Sequence, residues 1–138
     1  MAQSPPEGSP QLIPYLYYED ADSALEFLET AFGFVLDYAH RNPQNDKVLT
    51  SQLSYGAARV WVGPGMVPFG TQGTPDPDFV SAMLYVYVED VDKHYAQAVA
   101  SGARVREEPA AHFGGNRQYT VSDPGGHRWT FAQPIENA

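Results

Sequence analysis

The chain has 138 residues, 43% of them hydrophobic, which suits one core and is too few for several large domains. Eight basic and seventeen acidic side chains give a formal charge of −9; this field repels nucleic acid and anionic membrane and favours cationic small molecules, or it serves solubility alone. The absence of cysteine excludes disulfides, thiolate metal sites and cysteine nucleophiles, and fits a cytoplasmic location.

Residues 1–10 are expected to form a disordered Pro/Ser leader; they lack the basic start and apolar stretch of a secretory signal. No apolar run approaches the ~20 residues that span a bilayer. Residues 13–18 are rich in β-branched and aromatic side chains and predict a strand. Residues 20–23 offer helix caps, with Ser23 and Glu26 spaced as a capping box. Leu25, Leu28 and Phe32 then mark one face of a helix that stops at Gly33. Strands are expected over 34–40, 48–54 and 59–62, with turns at 41–46 and 55–57, so the first half reads βαβββ.

Residues 63–78 are rich in Gly and Pro, carry no period, and read as a linker; Met66 and Phe69 within it either cover a pocket or pack on the surface. The same order then repeats. A strand is expected over 81–88, and a helix runs from Asp90 to just before Gly102 with Val91, Tyr95, Ala98 and Val99 inward. A strand begins at Val105, residues 110–116 form a loop, and strands over 118–121 and 128–131 flank the Asp123-Pro124-Gly125-Gly126 turn.

The halves are copies of one pattern. Tyr15, Tyr17, Glu19, Asp20 and Asp22 recur as Tyr85, Tyr87, Glu89, Asp90 and Asp92; after one deletion Gly33, Gly56 and Arg59 match Gly102, Gly125 and Arg128, and Trp61 falls on Thr130. A duplicated unit that cannot bury its apolar face alone packs against its copy, and the cleft between two copies suits a ligand.

The duplicated strand–Glu/Asp–helix–Gly opening, Gly115-Asn116-Arg117, and the closing run from Asp123 through His127, Arg128 and Trp129 resemble the glyoxalase/bleomycin-resistance/dioxygenase group, the vicinal oxygen chelate superfamily. The resemblance spans residues 12–133 and implies an α+β fold: two tandem βαβββ modules, about 11–63 and 80–133 with a linker over 64–79, curl mixed sheets around a cleft and carry helices on the outer face. It also implies a homodimer, with clefts formed within a chain or across two chains.

Strand alternation then divides the side chains. Leu16, Tyr18, Val60, Val62, Leu84, Val86, Val88, Trp129 and Phe131 are expected to face the helices. Ile13, Tyr15, Tyr17, Arg59, Trp61, Met83, Tyr85, Tyr87, Arg128 and Thr130 are expected to face the cleft. The resemblance places a divalent metal on four of these positions, held by His, Gln or Glu. Here they are Ile13, Trp61, Met83 and Thr130, which offer a hard cation at most a thioether and a hydroxyl. No metal and no cofactor are therefore expected.

The candidate ligand-binding residues are Tyr15, Tyr17, Trp61, Met83, Tyr85, Tyr87, Arg117, Tyr119, Arg128 and Thr130. Their rings suit flat or cationic ligands, or they fill a collapsed cleft or a dimer contact. Arg117, beside Tyr119, suits an anionic group or a surface salt bridge. Arg59 and Arg128 either touch ligand or pair with acids such as Asp37 and Glu107. His94 is expected to be exposed on the second helix, and His127 to make a structural hydrogen bond in its turn. His112, in the expected loop, is the histidine placed for acid–base work. The expected function is sequestration of a drug or metabolite, as in the bleomycin-resistance branch; the alternative is a glyoxalase-like lyase, isomerase or dioxygenase, for which the counted cleft strands supply no Asp or Glu.

Overall fold

The computed structural model describes residues 4–135 apart from positions 67, 69, 71, 73–75 and 113; the expected role of Phe69 lies outside the described residues. Two βαβββ modules follow one another. The first comprises β1 (Tyr15–Tyr18), α1 (Ala21–Phe32), β2 (Val35–Arg41), β3 (Val48–Tyr55) and β4 (Ala58–Pro64). The second comprises β5 (Leu84–Tyr87), α2 (Val91–Ala100), β6 (Arg104–His112), β7 (Asn116–Ser122) and β8 (Arg128–Pro134). Each forms a four-stranded mixed sheet, in the orders β1-β4-β3-β2 and β5-β8-β7-β6.

The repeat extends to strand register. Tyr15 lies opposite Trp61 in the parallel β1–β4 pair, and Tyr85 lies opposite Thr130 in the parallel β5–β8 pair. Both strands start two residues or more after the expected boundary, so Ile13 and Met83 precede them. The expected loop at 110–116 is mostly strand, since β6 runs to His112 and β7 begins at Asn116.

Each helix is capped by the aspartate of the repeat. Asp20 Oδ1 accepts from the Ser23 N–H, and Asp90 Oδ1 from the Lys93 N–H, which satisfies an otherwise orphaned helix donor. The cap is thus Asp20, with Ser23 inside the helix, rather than the expected Ser23–Glu26 box. Gly33 ends α1 in the left-handed region at φ 80°, where its N–H bonds the carbonyls of Glu29 and Leu28.

One apolar cluster joins both modules. Leu25, Leu28 and Phe32 of α1 pack with Leu16, Tyr18, Leu53, Val60 and Val62 of the first sheet, and the cluster continues into Val88, Val91, Ala98, Tyr119, Val121, Trp129 and Phe131. The Phe32 ring lies 4.7 Å from Phe131 and 5.3 Å from Trp129, so the C-terminal end of α1 reaches the second sheet while α1 and α2 pack on each other. The helix-facing set is buried or partly buried in this cluster, as strand alternation required. Val99 is 43% exposed and does not share the inner face of α2.

His94 is not the exposed residue expected. Position 94 follows Val91 by three and precedes Ala98 by four, on the inward stripe of α2. Its Nε2 donates to the Phe32 carbonyl at 2.8 Å, which leaves Nδ1 to accept from the Tyr119 hydroxyl. Both ring nitrogens are satisfied, so the core tolerates the imidazole.

Candidate functional site

The site is built on the sheet faces turned away from the helices, here termed open faces. On the first sheet Tyr15 and Tyr17 stack at 4.8 Å, and Trp61 meets Tyr15 edge-on at 5.9 Å. The Tyr15 hydroxyl donates to Thr50 Oγ1 at 2.8 Å across Gly63, where any Cβ would collide with the phenol oxygen. Trp61 Nε1 donates to Gln52 Oε1 at 3.0 Å, Gln52 Nε2 donates to Asp37 at 2.9 Å, and Ser54 Oγ donates to the other Asp37 oxygen at 3.0 Å. A carboxylate and an amide therefore hold the indole in one orientation.

The second open face repeats this logic with different residues. Tyr85 and Tyr87 lie 5.7 Å apart, nearly perpendicular. Asn116 Nδ2 donates to the Tyr85 hydroxyl at 2.8 Å and to the Tyr87 hydroxyl at 3.3 Å, and Tyr85 donates onward to Gln118 Oε1 at 2.8 Å. The rings are held at their tips yet remain uncovered, Tyr85 being 42% and Tyr87 59% exposed. Met83 is half exposed, and its sulfur accepts from Thr130 Oγ1 at 3.4 Å. Among the described residues, no hydrogen bond or ring contact links the two open faces.

Four expected ligand-binding residues are placed differently. Tyr119 lies opposite Phe131, and directly opposed residues of an antiparallel pair share a face. Its ring is therefore fully buried against His94, Tyr95 and Phe131 on the helix side. Arg117 has the same parity and reaches α2, where it forms a bidentate pair with Asp92 at 3.1 and 2.9 Å. Thr130 is on the open face but buried, sharing a 2.7 Å hydrogen bond with Thr120. Arg128 is turned to the linker, donating to the Pro77 carbonyl at 2.9 Å instead of pairing with Glu107. Arg59 donates to the Gly56 and Ala58 carbonyls instead of pairing with Asp37.

Two acids sit on the outer strands of the same faces, beyond the four strands counted for the cleft. Asp37 adjoins a register shift in β2, and Glu107 lies opposite Thr120 beside a register shift in β6. Glu107 Oε1 lies 2.9 Å from His112 Nε2. His112 stands opposite Asn116, so this acid–imidazole pair flanks the Tyr85–Tyr87 network. Strand alternation alone could not find it, because a bulge resets the parity.

The metal-ligand positions do not fit a hard divalent ion. Thr130 and Met83 do converge, as two ligand slots should, but as a hydroxyl and a thioether; Trp61 and Ile13 offer no donor. Among the described residues, no group of three or more His, Asp or Glu is placed to hold a metal.

A groove of about 1380 Å³ lies elsewhere, bordered by α1's first turn, Arg41, Lys47, Pro64 and Pro124. Within it Arg41 pairs with Asp22, and Tyr18 is the one aromatic residue among its described lining; the open faces are the better candidate site.

The superfamily profile for glyoxalase, bleomycin resistance protein and dioxygenase matches residues 11–131. The chain belongs to the glyoxalase/bleomycin resistance protein/dioxygenase superfamily. A relative described as uncharacterized, from Mycobacterium tuberculosis, is 31% identical over 136 residues, covering 91% of this chain and 75% of its own length. Among solved structures of similar fold, TioX from Micromonospora sp. ML1 is 29% identical with a TM-score of 0.69, covering 92% of this chain and 100% of TioX. TnmS3, an antibiotic binding protein from Streptomyces sp. CB03234, is 19% identical with a TM-score of 0.66, covering 88% of this chain and 93% of its own. At that identity the likeness shows the fold alone. Among the described residues, no helix of this superfamily member is long and apolar enough to cross a membrane.

Proposed function

We propose that this chain binds and sequesters an aromatic small molecule, without metal, on the open faces of its two sheets. The observation that carries this reading is the pair of half-exposed rings, Tyr85 and Tyr87, oriented by Asn116 and Gln118 but uncovered. Rings fixed at their polar tips lose little freedom on binding, so they present stacking surface at low entropic cost. The face of the first sheet adds Tyr15, Tyr17 and Trp61 in the same manner. The antibiotic-binding TnmS3 shares the fold, which makes antibiotics the first ligand class to screen and drug resistance the corresponding role. The charge of −9 favours ligands with a cationic portion and disfavours nucleic acid. We infer a homodimer in the cytoplasm as the working form, on the superfamily resemblance and the exposure of these rings.

The test is a calorimetric screen of flat aromatic antibiotics in the presence of EDTA. Saturable binding that Trp61→Ala weakens supports the reading, and the absence of binding across the panel contradicts it.

A second reading rests on Glu107 and His112, whose 2.9 Å contact places an acid–base pair beside the tyrosines. On this reading the chain is a lyase, isomerase or dioxygenase-like enzyme. Mass spectrometry of a bound ligand after prolonged incubation tests it: conversion that His112→Ala abolishes supports an enzyme, and recovery of intact ligand supports sequestration.

A further inference from the structure

Half of the chain's six arginines meet at one place. Arg106 donates from Nη1 to Asp78 Oδ1 at 2.6 Å, from Nη2 to the Pro77 carbonyl at 3.0 Å, and from Nε to Ser122 Oγ at 2.9 Å. Arg128 Nη2 donates to the same Pro77 carbonyl at 2.9 Å, and Arg104 Nη2 lies 4.0 Å from Asp78 Oδ1. The remaining arginines behave differently: Arg41 and Arg117 each pair with one aspartate, and Arg59 caps its own turn. Arg104 and Arg128 both lie opposite Ser122, and Arg128 is two residues from Thr130. The cluster therefore stands at one end of the second open face, in line with Met83 and Tyr85.

Asp78 matches this cluster poorly. Asp78 is the carboxylate that faces all three guanidinium groups, and Asp76, which accepts from the Asp78 N–H at 3.0 Å, stands behind it, so the positive groups outnumber the acids beside them. Among the described residues only Oδ1 of Asp78 is engaged, and its side chain is half exposed. Arg128 Nε is buried and has no hydrogen-bond partner among the described residues. A guanidinium recognises a planar carboxylate best through two parallel bonds, which the chain-tethered Asp78 does not make.

We propose that Arg104, Arg106 and Arg128 form a carboxylate-binding subsite at the end of the second open face, and that Asp78 occupies it as a tethered surrogate until a ligand carboxylate displaces it. The inference rests on the aromatic-binding reading above and deepens it: the ligand is an aromatic carboxylic acid, its ring on Met83 and Tyr85 and its carboxylate on the arginines. The charge of −9 opposes an anion at long range, but at contact the three guanidinium groups are the nearest charges and longer-range ones are screened.

The experiment uses the full chain, with 2-naphthoate, its neutral amide and acetate as probes, read by calorimetry and NMR titration. The wild type should bind the acid about tenfold more tightly than the amide, the worth of a charge-assisted hydrogen bond. Asp78→Asn should raise affinity for the acid and leave the amide unchanged, and Arg106→Gln should remove the preference. Should Arg106→Gln not fold, Arg104→Gln, at a largely exposed position, serves in its place. Equal binding of acid and amide overturns the subsite while the aromatic reading stands. Acetate binding to Asp78→Asn that is lost with the arginine, with naphthoate no tighter than acetate, upholds the subsite and overturns the aromatic reading. No binding of any probe overturns both.

Discussion

The Tyr18 hydroxyl donates to the buried Asp123 carboxylate at 2.5 Å across 105 residues of sequence. The same Asp123 oxygen accepts from Trp129 Nε1 at 3.0 Å, and the other accepts from the His127 N–H at 3.0 Å. The aspartate that opens the closing turn of the second module thus ties β1 of the first module to it. Burial raises its carboxyl above the usual range, and the three donors partly offset this. Removing the carboxylate would strand three donors at once. Asp123→Ala is therefore expected to destabilise the fold by about 3 kcal/mol or more, with Tyr18→Phe costing about 1–2 kcal/mol. Urea unfolding of both variants checks the order and the size.

Gly125 is needed in that turn for room. A Cβ there would collide with the Tyr18 ring, which is buried and cannot swing away. Gly125→Ala should cost about 1–3 kcal/mol by overpacking, and Gly114→Ala, where a Cβ meets open space at positive φ, should cost less. Thermal melts of the two variants separate crowding from backbone strain.

His94 predicts a pH dependence. Burial lowers its pKa below the ordinary value, and the hydrogen bond to the Phe32 carbonyl offsets part of that shift. The facing phenols of Tyr119 and Tyr55 are themselves pushed upward by burial, so they stay neutral there. The sign follows from proton uptake: the unfolded chain takes the proton first as pH falls. Stability is full above about pH 6.5, declines as pH falls through the window down to the lowered folded value, and then levels off. His94→Gln should flatten that segment of a plot of melting temperature against pH.

The open-face residues and the helix-side residues should separate in binding. Tyr85→Ala or Trp61→Ala should weaken ligand binding about 2- to 30-fold, the equivalent of one ring contact. Tyr119→Phe should lower stability and leave affinity unchanged, because its hydroxyl meets His94 in the core. Arg117→Ala should leave stability nearly unchanged, since its pair with Asp92 is exposed and screened by solvent, and should leave affinity unchanged. Calorimetry paired with melting curves on the four variants checks the division.

The repeat made the architecture legible, because capping aspartates, helix stripes and strand alternation recur at one spacing. The placement of Tyr15, Tyr17, Trp61, Tyr85 and Tyr87 followed from that alternation. Tyr119 belongs with Phe131 on the helix side, since the strand pairing across the Asp123 turn puts both on one face, a pairing that one-strand alternation does not reveal. Asp37 and Glu107 are expected only as arginine partners, because each adjoins a bulge on an outer strand that breaks the two-residue period. The arginine cluster depends on where linker residues Pro77 and Asp78 fold back, and a segment without periodicity carries no such signal.

The most direct test of the central claim is titration of chelator-treated protein with aromatic antibiotics in EDTA, for the wild type and for Trp61→Ala and Tyr85→Ala. Binding without metal that either substitution weakens is the predicted result. Binding that requires an added divalent ion, or that neither substitution alters, would contradict a metal-free aromatic site on the open faces.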